Sequence, residues 1–233
     1  MLPVAILAGG LATRLRPITE TVPKSLVDVA GRPFISWQLD HLKSQGADRV
    51  VLCVGHLGDR IQDFVGDGTR FGLRVAYSFD GPALAGTGGA VRNALPLLGT
   101  AFFVFYGDSY LPIDFNEVER AFVDSMKPAL MTVLRNEDKW DRSNVLFQNG
   151  VIVEYNKRVT RPGMAHIDYG LSVLRATAFL GCTNDAFDLA EIFHRMSLSG
   201  ELAGHEVTKR FYEIGSHDGL RQTTDFLSSQ IRT

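Results

Sequence analysis

An apolar run, Val4-Ala5-Ile6-Leu7, ends at Ala8-Gly9-Gly10 and is followed by Leu11-Ala12-Thr13-Arg14-Leu15-Arg16-Pro17. This stretch constrains the chain more than any other. A run of this length reads as a short buried strand, and two glycines at its end remove the side chains that would keep a bulky anion from the backbone N–H groups. Arg14 and Arg16 then offer planar donors suited to phosphate, and Pro17 sets the direction in which the chain leaves. A second polar break, Pro23-Lys24-Ser25-Leu26, adds a lysine, so two basic groups can converge on one anion. The loop lacks the lysine-serine ending of a Walker loop and the three-glycine spacing of a dinucleotide-binding turn.

Strand and helix patterns alternate behind it. Residues 33–45 carry Phe34, Ile35, Trp37, Leu39 and Leu42 on one helical face, with proline at the start and Gly46 past the end. Residues 49–54 and 73–79 read as strands, and 56–65 as a helix between them. This order implies parallel pairing through right-handed crossovers, with ligands at the carboxyl ends of the strands. The expected fold is α/β, a Rossmann-like three-layer sandwich with a mostly parallel central sheet. Gly86-Thr87-Gly88-Gly89 opens an amphipathic helix running to Leu98, whose free N–H groups could face a ligand, although a glycine-rich helix start also serves close packing. Residues 101–106, the most continuously apolar strand, belong at the sheet centre and deliver Asp108 to a carboxyl end. A carboxylate beside a phosphate loop makes electrostatic sense when a cation such as Mg²⁺ intervenes.

Further on, 114–125 reads as a helix, 129–135 as a strand, and 144–147 with 151–155 as a hairpin around Asn149-Gly150. A strand over 168–174 and helices over 187–198 and 216–231 complete the reading. With 233 residues and 45% hydrophobic content the chain suits a single domain over 1–233. Its 24 basic and 26 acidic residues are well mixed, which argues against bulk attraction to nucleic acid or anionic membrane and makes anion binding a local matter. Cys53 and Cys182 form no ligand pattern, and the first apolar run is too short for a signal peptide or a membrane span, so a reduced cytoplasmic setting is expected. The pattern leaves a homo-oligomer open.

Leu-Ala-Gly-Gly-x-x-Thr-Arg-Leu-x-Pro followed by Pro-Lys-Ser-Leu strongly resembles the opening of the sugar-1-phosphate nucleotidylyltransferases, which join a nucleoside triphosphate to a sugar 1-phosphate and release pyrophosphate. The resemblance runs through most of the chain with its motifs in order. It implies a nucleotide-diphospho-sugar transferase-like fold, with Leu7, Ala8, Gly9, Gly10, Thr13, Arg14, Lys24, Gly86, Thr87 and Gly88 at the nucleotide. Arg14, Lys24 and Lys157 would be the catalytic cations, Lys157 lying on the sugar phosphate. Glu154, Asn156, Tyr169 and Gly170 would form the sugar side, and Asp108 with Glu213 would hold Mg²⁺. Three positions depart from the family pattern. Ala12 replaces a usual glycine, and Asn156 a usual glutamate, leaving Glu154 on the same strand face as a substitute. Glu213 stands where an aspartate is normal; its carboxylate could still reach Mg²⁺, or His217 or Asp218 could take part instead.

The chemistry also closes on the residues themselves. A phosphate monoester oxygen is already a nucleophile, so the site must chiefly overcome repulsion between two polyanions and stabilise the departing pyrophosphate. The compact length and the Gly86-Thr87-Gly88-Gly89 and Tyr212-Glu213-Ile214-Gly215 segments look most like guanylyltransferases for D-glycero-D-manno-heptose 1-phosphate, which serve bacterial surface polysaccharides. Alternatives are a hexose or N-acetylmuramate 1-phosphate with UTP, phosphocholine with CTP, or a non-catalytic nucleotide-sugar sensor.

Overall fold

The computed structural model describes residues 1–231. The first half follows the alternating pattern. Strand β1 (Val4–Leu7) leads through short turns into a small hairpin, β2 (Asp28–Val29) with β3 (Arg32–Pro33), and then helix α1 (Phe34–Ser44). Strand β4 (Arg49–Val54), helix α2 (Gly58–Val65), strand β5 (Arg74–Phe79), helix α3 (Gly86–Leu98) and strand β6 (Ala101–Tyr106) follow. Next come β7 (Ser109–Tyr110), α4 (Phe115–Ser125) capped by the Asp114 carboxylate, and β8 (Ala129–Arg135). The hairpin β9 (Val145–Gln148) and β10 (Val151–Tyr155) turns on Asn149 and Gly150, both at positive φ (51° and 78°) as a tight hairpin turn requires. The remaining elements are β11 (His166–Arg175), α5 (Leu189–Leu198), β12 (Leu202–Val207), β13 (Tyr212–Glu213) and α6 (His217–Ile231).

Among the described residues one nine-stranded sheet runs β5-β4-β1-β6-β11-β8-β12-β10-β9. Its first four strands are parallel, with Val4 opposite both Val50 and Phe103. The second half corrects the expectation of a mostly parallel sheet. Strand β11 runs antiparallel to both β6 and β8, the β9/β10 hairpin is antiparallel, and β8 with β12 restores one parallel pair. His166 of β11 also pairs with Val145 of β9, so this half curls back on itself like a small barrel. The cause is topological: after α4 the chain returns through a hairpin and one long strand instead of strand–helix units.

The three layers are clear in the core. Ile35, Leu39 and Leu42 of α1, Ile61 and Val65 of α2, and Phe115, Val118 and Phe122 of α4 are buried on one face of the sheet. Ala90, Val91, Ala94 and Leu98 of α3 and Leu189, Ile192, Phe193 and Met196 of α5 are buried on the other. A small third cluster, Val29, Phe34, Ile214 and Leu227, seats α6 beside the first hairpin. Among the described residues no helix is long and apolar enough to cross a membrane.

Candidate active site

The carboxyl ends of β1 and β6 open into a cavity of about 250 Å³. Leu7, Ala8, Gly9 and Gly10 form one wall, Lys24, Gly107 and Asp108 a second, and Gly86 and Thr87 a third. Segments more than 70 residues apart in sequence meet here because the strands are parallel neighbours. The Gly107 N–H donates to Leu7 O at 3.0 Å, and a Cβ on Gly107 would stand 2.5 Å from that oxygen, so only glycine permits this approach of the two strand ends. Gln38, buried on α1, donates to Tyr106 O at 3.3 Å and Ser109 O at 2.8 Å, which fixes the turn carrying Asp108.

The loop after β1 keeps its shape under mild strain. Ala12 sits at φ 49° and ψ 43°, the left-handed region that glycine enters freely and alanine enters at about 1 kcal/mol. Thr19 Oγ1 donates to Ala12 O at 2.8 Å and braces the loop. Thr13 and Arg14 follow in a single turn of 3-10 helix and are exposed on the rim. Arg14 Nη2 and Lys24 Nζ each lie 3.2 Å from where a Cβ on Gly215 would stand, so the two cations converge at the start of α6.

Lys24 Nζ lies 2.7 Å from Asp108 Oδ2. Antiparallel pairing of β7 with β13 sets Glu213 opposite Ser109, and the Ile214 N–H donates to Asp108 O at 2.9 Å. The backbones bearing both candidate metal ligands are thus adjacent. The Glu213 carboxylate turns toward α6, where it accepts from the Gly215 N–H and, at 2.8 Å, from the Ser216 hydroxyl. Asp218 points away, 86% exposed and facing Arg221. Among the described residues no three histidine, cysteine, aspartate or glutamate side chains are grouped to hold a metal. A cation at Asp108 and Glu213 would therefore draw most of its ligands from phosphate oxygens and water, a set that suits Mg²⁺.

The glycine-rich start of α3 divides between the cavity and packing. Gly88 and Gly89 N–H groups donate to Phe187 O at 2.9 and 3.4 Å, a Cβ on Gly86 would come within 2.5 Å of that oxygen, and one on Gly88 would enter the Phe187 ring. Gly86 and Thr87 line the cavity, whereas Gly88 is spent on packing.

For the residues expected at the sugar the placements are mixed. Lys157, just past β10, reaches Asp188 Oδ2 at 3.0 Å. Glu154 is buried, held by Arg161 Nε at 2.8 Å and Asn156 Nδ2 at 3.2 Å, so its carboxylate is engaged within the protein. Tyr169 corrects its expected role: it is 1% exposed, its ring edge-on to Phe211, and its hydroxyl donates to Arg210 O at 3.4 Å. Gly170 follows it at φ 98° beside Tyr106 and Ser109.

Two carboxylates were missed from the sequence. Asp80 lines the cavity, with Oδ2 3.3 and 2.9 Å from the Cβ positions of Gly9 and Gly55. Desolvation raises its pKa against a hydrogen bond from the Ala85 N–H. Asp168 is half-buried near the cavity-lining Tyr106, and desolvation pushes its pKa from 3.8 to about 6; the Gly170 N–H and Lys157 oppose the rise, and Asp188 adds to it. Asp80 belongs to no local motif, and Asp168 opens the strand over 168–174 in which only Tyr169 and Gly170 stood out. Cys53, also at the cavity, is buried with its thiol pushed up to about 12, which rules out a thiolate nucleophile at neutral pH.

The nucleotidyl transferase family model matches residues 4–159. The N-acetylmuramate alpha-1-phosphate uridylyltransferase of Neisseria meningitidis is 45% identical over 111 residues, covering 47% of this chain and 48% of that protein. The D-glycero-alpha-D-manno-heptose 1-phosphate guanylyltransferase of Campylobacter jejuni is 30% identical over 175 residues, covering 75% of this chain and 76% of that one. The match thus spans about half the length of the first relative. Among solved structures, HddC from Yersinia pseudotuberculosis complexed with GMP-PN superposes with a TM-score of 0.84 at 24% identity, over 97% of this chain and 100% of that one.

Proposed function

Because the chain belongs to the nucleotidyl transferase family, we propose that it transfers a nucleotidyl group from GTP to D-glycero-alpha-D-manno-heptose 1-phosphate, giving the nucleotide-sugar and pyrophosphate. The observation that carries the reaction class is the convergence of Gly9, Gly10, Lys24 and Asp108 on one cavity at the ends of parallel strands. Backbone N–H groups of the loop after β1, with Arg14 and Lys24, would hold the triphosphate and offset the charge that grows on departing pyrophosphate. Lys157 would draw in the sugar phosphate, whose own oxygen attacks the α-phosphorus in line, with no general base needed. Mg²⁺ at Asp108 and Glu213, when bound, would supply Lewis-acid neutralisation of the phosphates.

Asp80 supports guanine. A carboxylate accepts from two adjacent donors, and guanine presents N1–H and the N2 amino group side by side, whereas uracil flanks its single N3–H with two carbonyl oxygens that a carboxylate repels. Asp168 supports a neutral polyhydroxyl sugar, since a carboxylate next to Lys157 accepts from hydroxyls and repels an anionic substituent. The Campylobacter relative supports the same pair of substrates. A second reading, UTP with N-acetylmuramate 1-phosphate, rests on the Neisseria relative. The deciding experiment is pyrophosphate release from four nucleoside triphosphates against heptose, mannose, glucose and N-acetylmuramate 1-phosphates, repeated with Asp80→Asn. An asparagine presents one acceptor and one donor, which matches uracil, so the variant should lose GTP turnover by tenfold or more, on the order of one bidentate pair, and gain with UTP. A parent enzyme that prefers UTP would overturn the guanine assignment.

A further inference from the structure

The nucleotide wall of the cavity and the lysine of the sugar side are joined through one carboxylate. Asp188 caps α5: its Oδ1 accepts from the Ala190 N–H at 3.0 Å and from Thr87 Oγ1 at 2.8 Å. The Leu189 N–H donates back to Thr87 Oγ1 at 2.8 Å, and Phe187 O takes the Gly88 and Gly89 N–H groups. Residues 187–189 are thereby fixed to the start of α3, where Thr87 lines the cavity. The other oxygen of Asp188, Oδ2, accepts from Lys157 Nζ at 3.0 Å. Lys157 is otherwise a long side chain with 54% of its surface exposed. An ammonium has three donors, so one given to Asp188 leaves two for a phosphate.

Burial works against ionisation of Asp188, but the Ala190 N–H, the Lys157 ammonium and the Thr87 hydroxyl together hold its carboxyl below the ordinary range. The group is therefore charged at neutral pH and able to anchor a cation. Neither residue is close in sequence to the other or to Thr87, and no local motif joins them; α3, α5 and the end of β10 bring them together.

We propose that Asp188 is a positioning residue that holds the Lys157 ammonium in place for the phosphate of the incoming sugar 1-phosphate and registers it against the nucleotide-lining Thr87. The role rests on the function proposed above. It acts through preorganisation: without the ion pair, Lys157 must be immobilised afresh each time a sugar phosphate binds, an ordering cost that corresponds to roughly tenfold in affinity.

Asp188→Asn separates this role from a structural one, because asparagine caps a helix as well as aspartate and can still accept from Thr87, while the charge facing Lys157 is lost. GTP affinity by calorimetry without sugar, the melting temperature, and KM and kcat for heptose 1-phosphate by pyrophosphate release are the measurements. Expected are GTP affinity and melting within experimental error of the parent and a KM for the sugar phosphate raised about tenfold. In a Lys157→Ala background the second substitution should add nothing. A lowered KM would overturn the proposal by making Asp188 a competitor for Lys157, and the same tenfold loss without Lys157 would overturn it by making the effect independent of the lysine. Asp188→Ser, which also caps, repeats the test should the asparagine variant fold poorly. Turnover with an unchanged KM overturns the role of Asp188 alone, whereas a parent that releases no pyrophosphate with any sugar phosphate overturns the proposed function and this role with it.

Discussion

Asp168→Asn tests the sugar side through stability as well as turnover. Burial raises the Asp168 pKa from 3.8 to about 6. At about 1.4 kcal/mol per unit, the ionised carboxylate weakens the folded state by about 3 kcal/mol. The folded protein binds this proton more tightly than the unfolded chain, so the contribution is full below pH ~4 and is lost as pH rises through ~6. Asparagine matches the shape and carries no charge. Its amide oxygen can still accept from the Gly170 N–H, now bonded to Oδ1 at 3.0 Å, while its NH₂ group imperfectly replaces the acid O–H, at about 1 kcal/mol. The Gly170 and Lys157 attractions and the Asp188 repulsion are already contained in the net shift of Asp168. The variant should therefore be more stable than the parent by about 1–2 kcal/mol at pH 8 and no more stable at pH 4. Urea denaturation of both proteins at the two pH values measures the difference, with effects common to other carboxylates cancelling. A stability change of the same sign and size at both pH values would refute the reasoning. The same substitution should lower turnover with a neutral sugar phosphate while leaving GTP binding intact, a gain of stability at the expense of function.

Gly88→Ala should lower stability by about 1–3 kcal/mol, because the new methyl enters the Phe187 ring; an unchanged urea midpoint would show that the 187–189 segment yields freely. Glu213→Asp shortens a carboxylate that now reaches the Gly215 N–H and the Ser216 hydroxyl. It should raise the Mg²⁺ concentration needed for half-maximal activity even though it restores the residue usual in the family, and a metal titration indistinguishable from the parent would remove Glu213 from the metal site.

Much of the parallel half was legible because its signals are local. Residues 49–54 and 101–106 are apolar runs whose length suits a buried strand, and both strands form over those bounds. The helix opening at Gly86 and ending at Leu98 was equally plain, as was the Asn149-Gly150 hairpin. The loop after β1 could be read as a phosphate cradle since glycines, arginines and lysine lie within one short stretch, and its contact with Asp108 followed once 101–106 was taken as a neighbouring strand. The resemblance to a known family extended this reading to Lys157 and Glu213, which spacing alone would not have singled out.

Other features depended on partners far away in the chain. Leu-Ala-Gly-His-Glu-Val at 202–207 has little strand propensity and becomes β12 because β8 offers it a parallel edge. The antiparallel placing of β11 beside β6 and β8 was hidden for the same reason: an apolar run reports burial, not the direction of its neighbours. The local glycines left packing and ligand contact both open and only the resemblance placed Gly88 at the nucleotide; its contacts go to Phe187, 99 residues on. Tyr169 could have faced either side of its strand, and packing against Phe211 turned it inward. Asp80 and Asp188 carry no motif of their own. Sequence by itself determined where the chain could bury strands and gather glycines and basic groups, since those depend on neighbouring residues; which carboxylates meet Lys157, the strand-end cavity or the protein's own side chains was decided by the crossing of elements some 10 to 100 residues apart, where topology sets the distance and burial sets the charge.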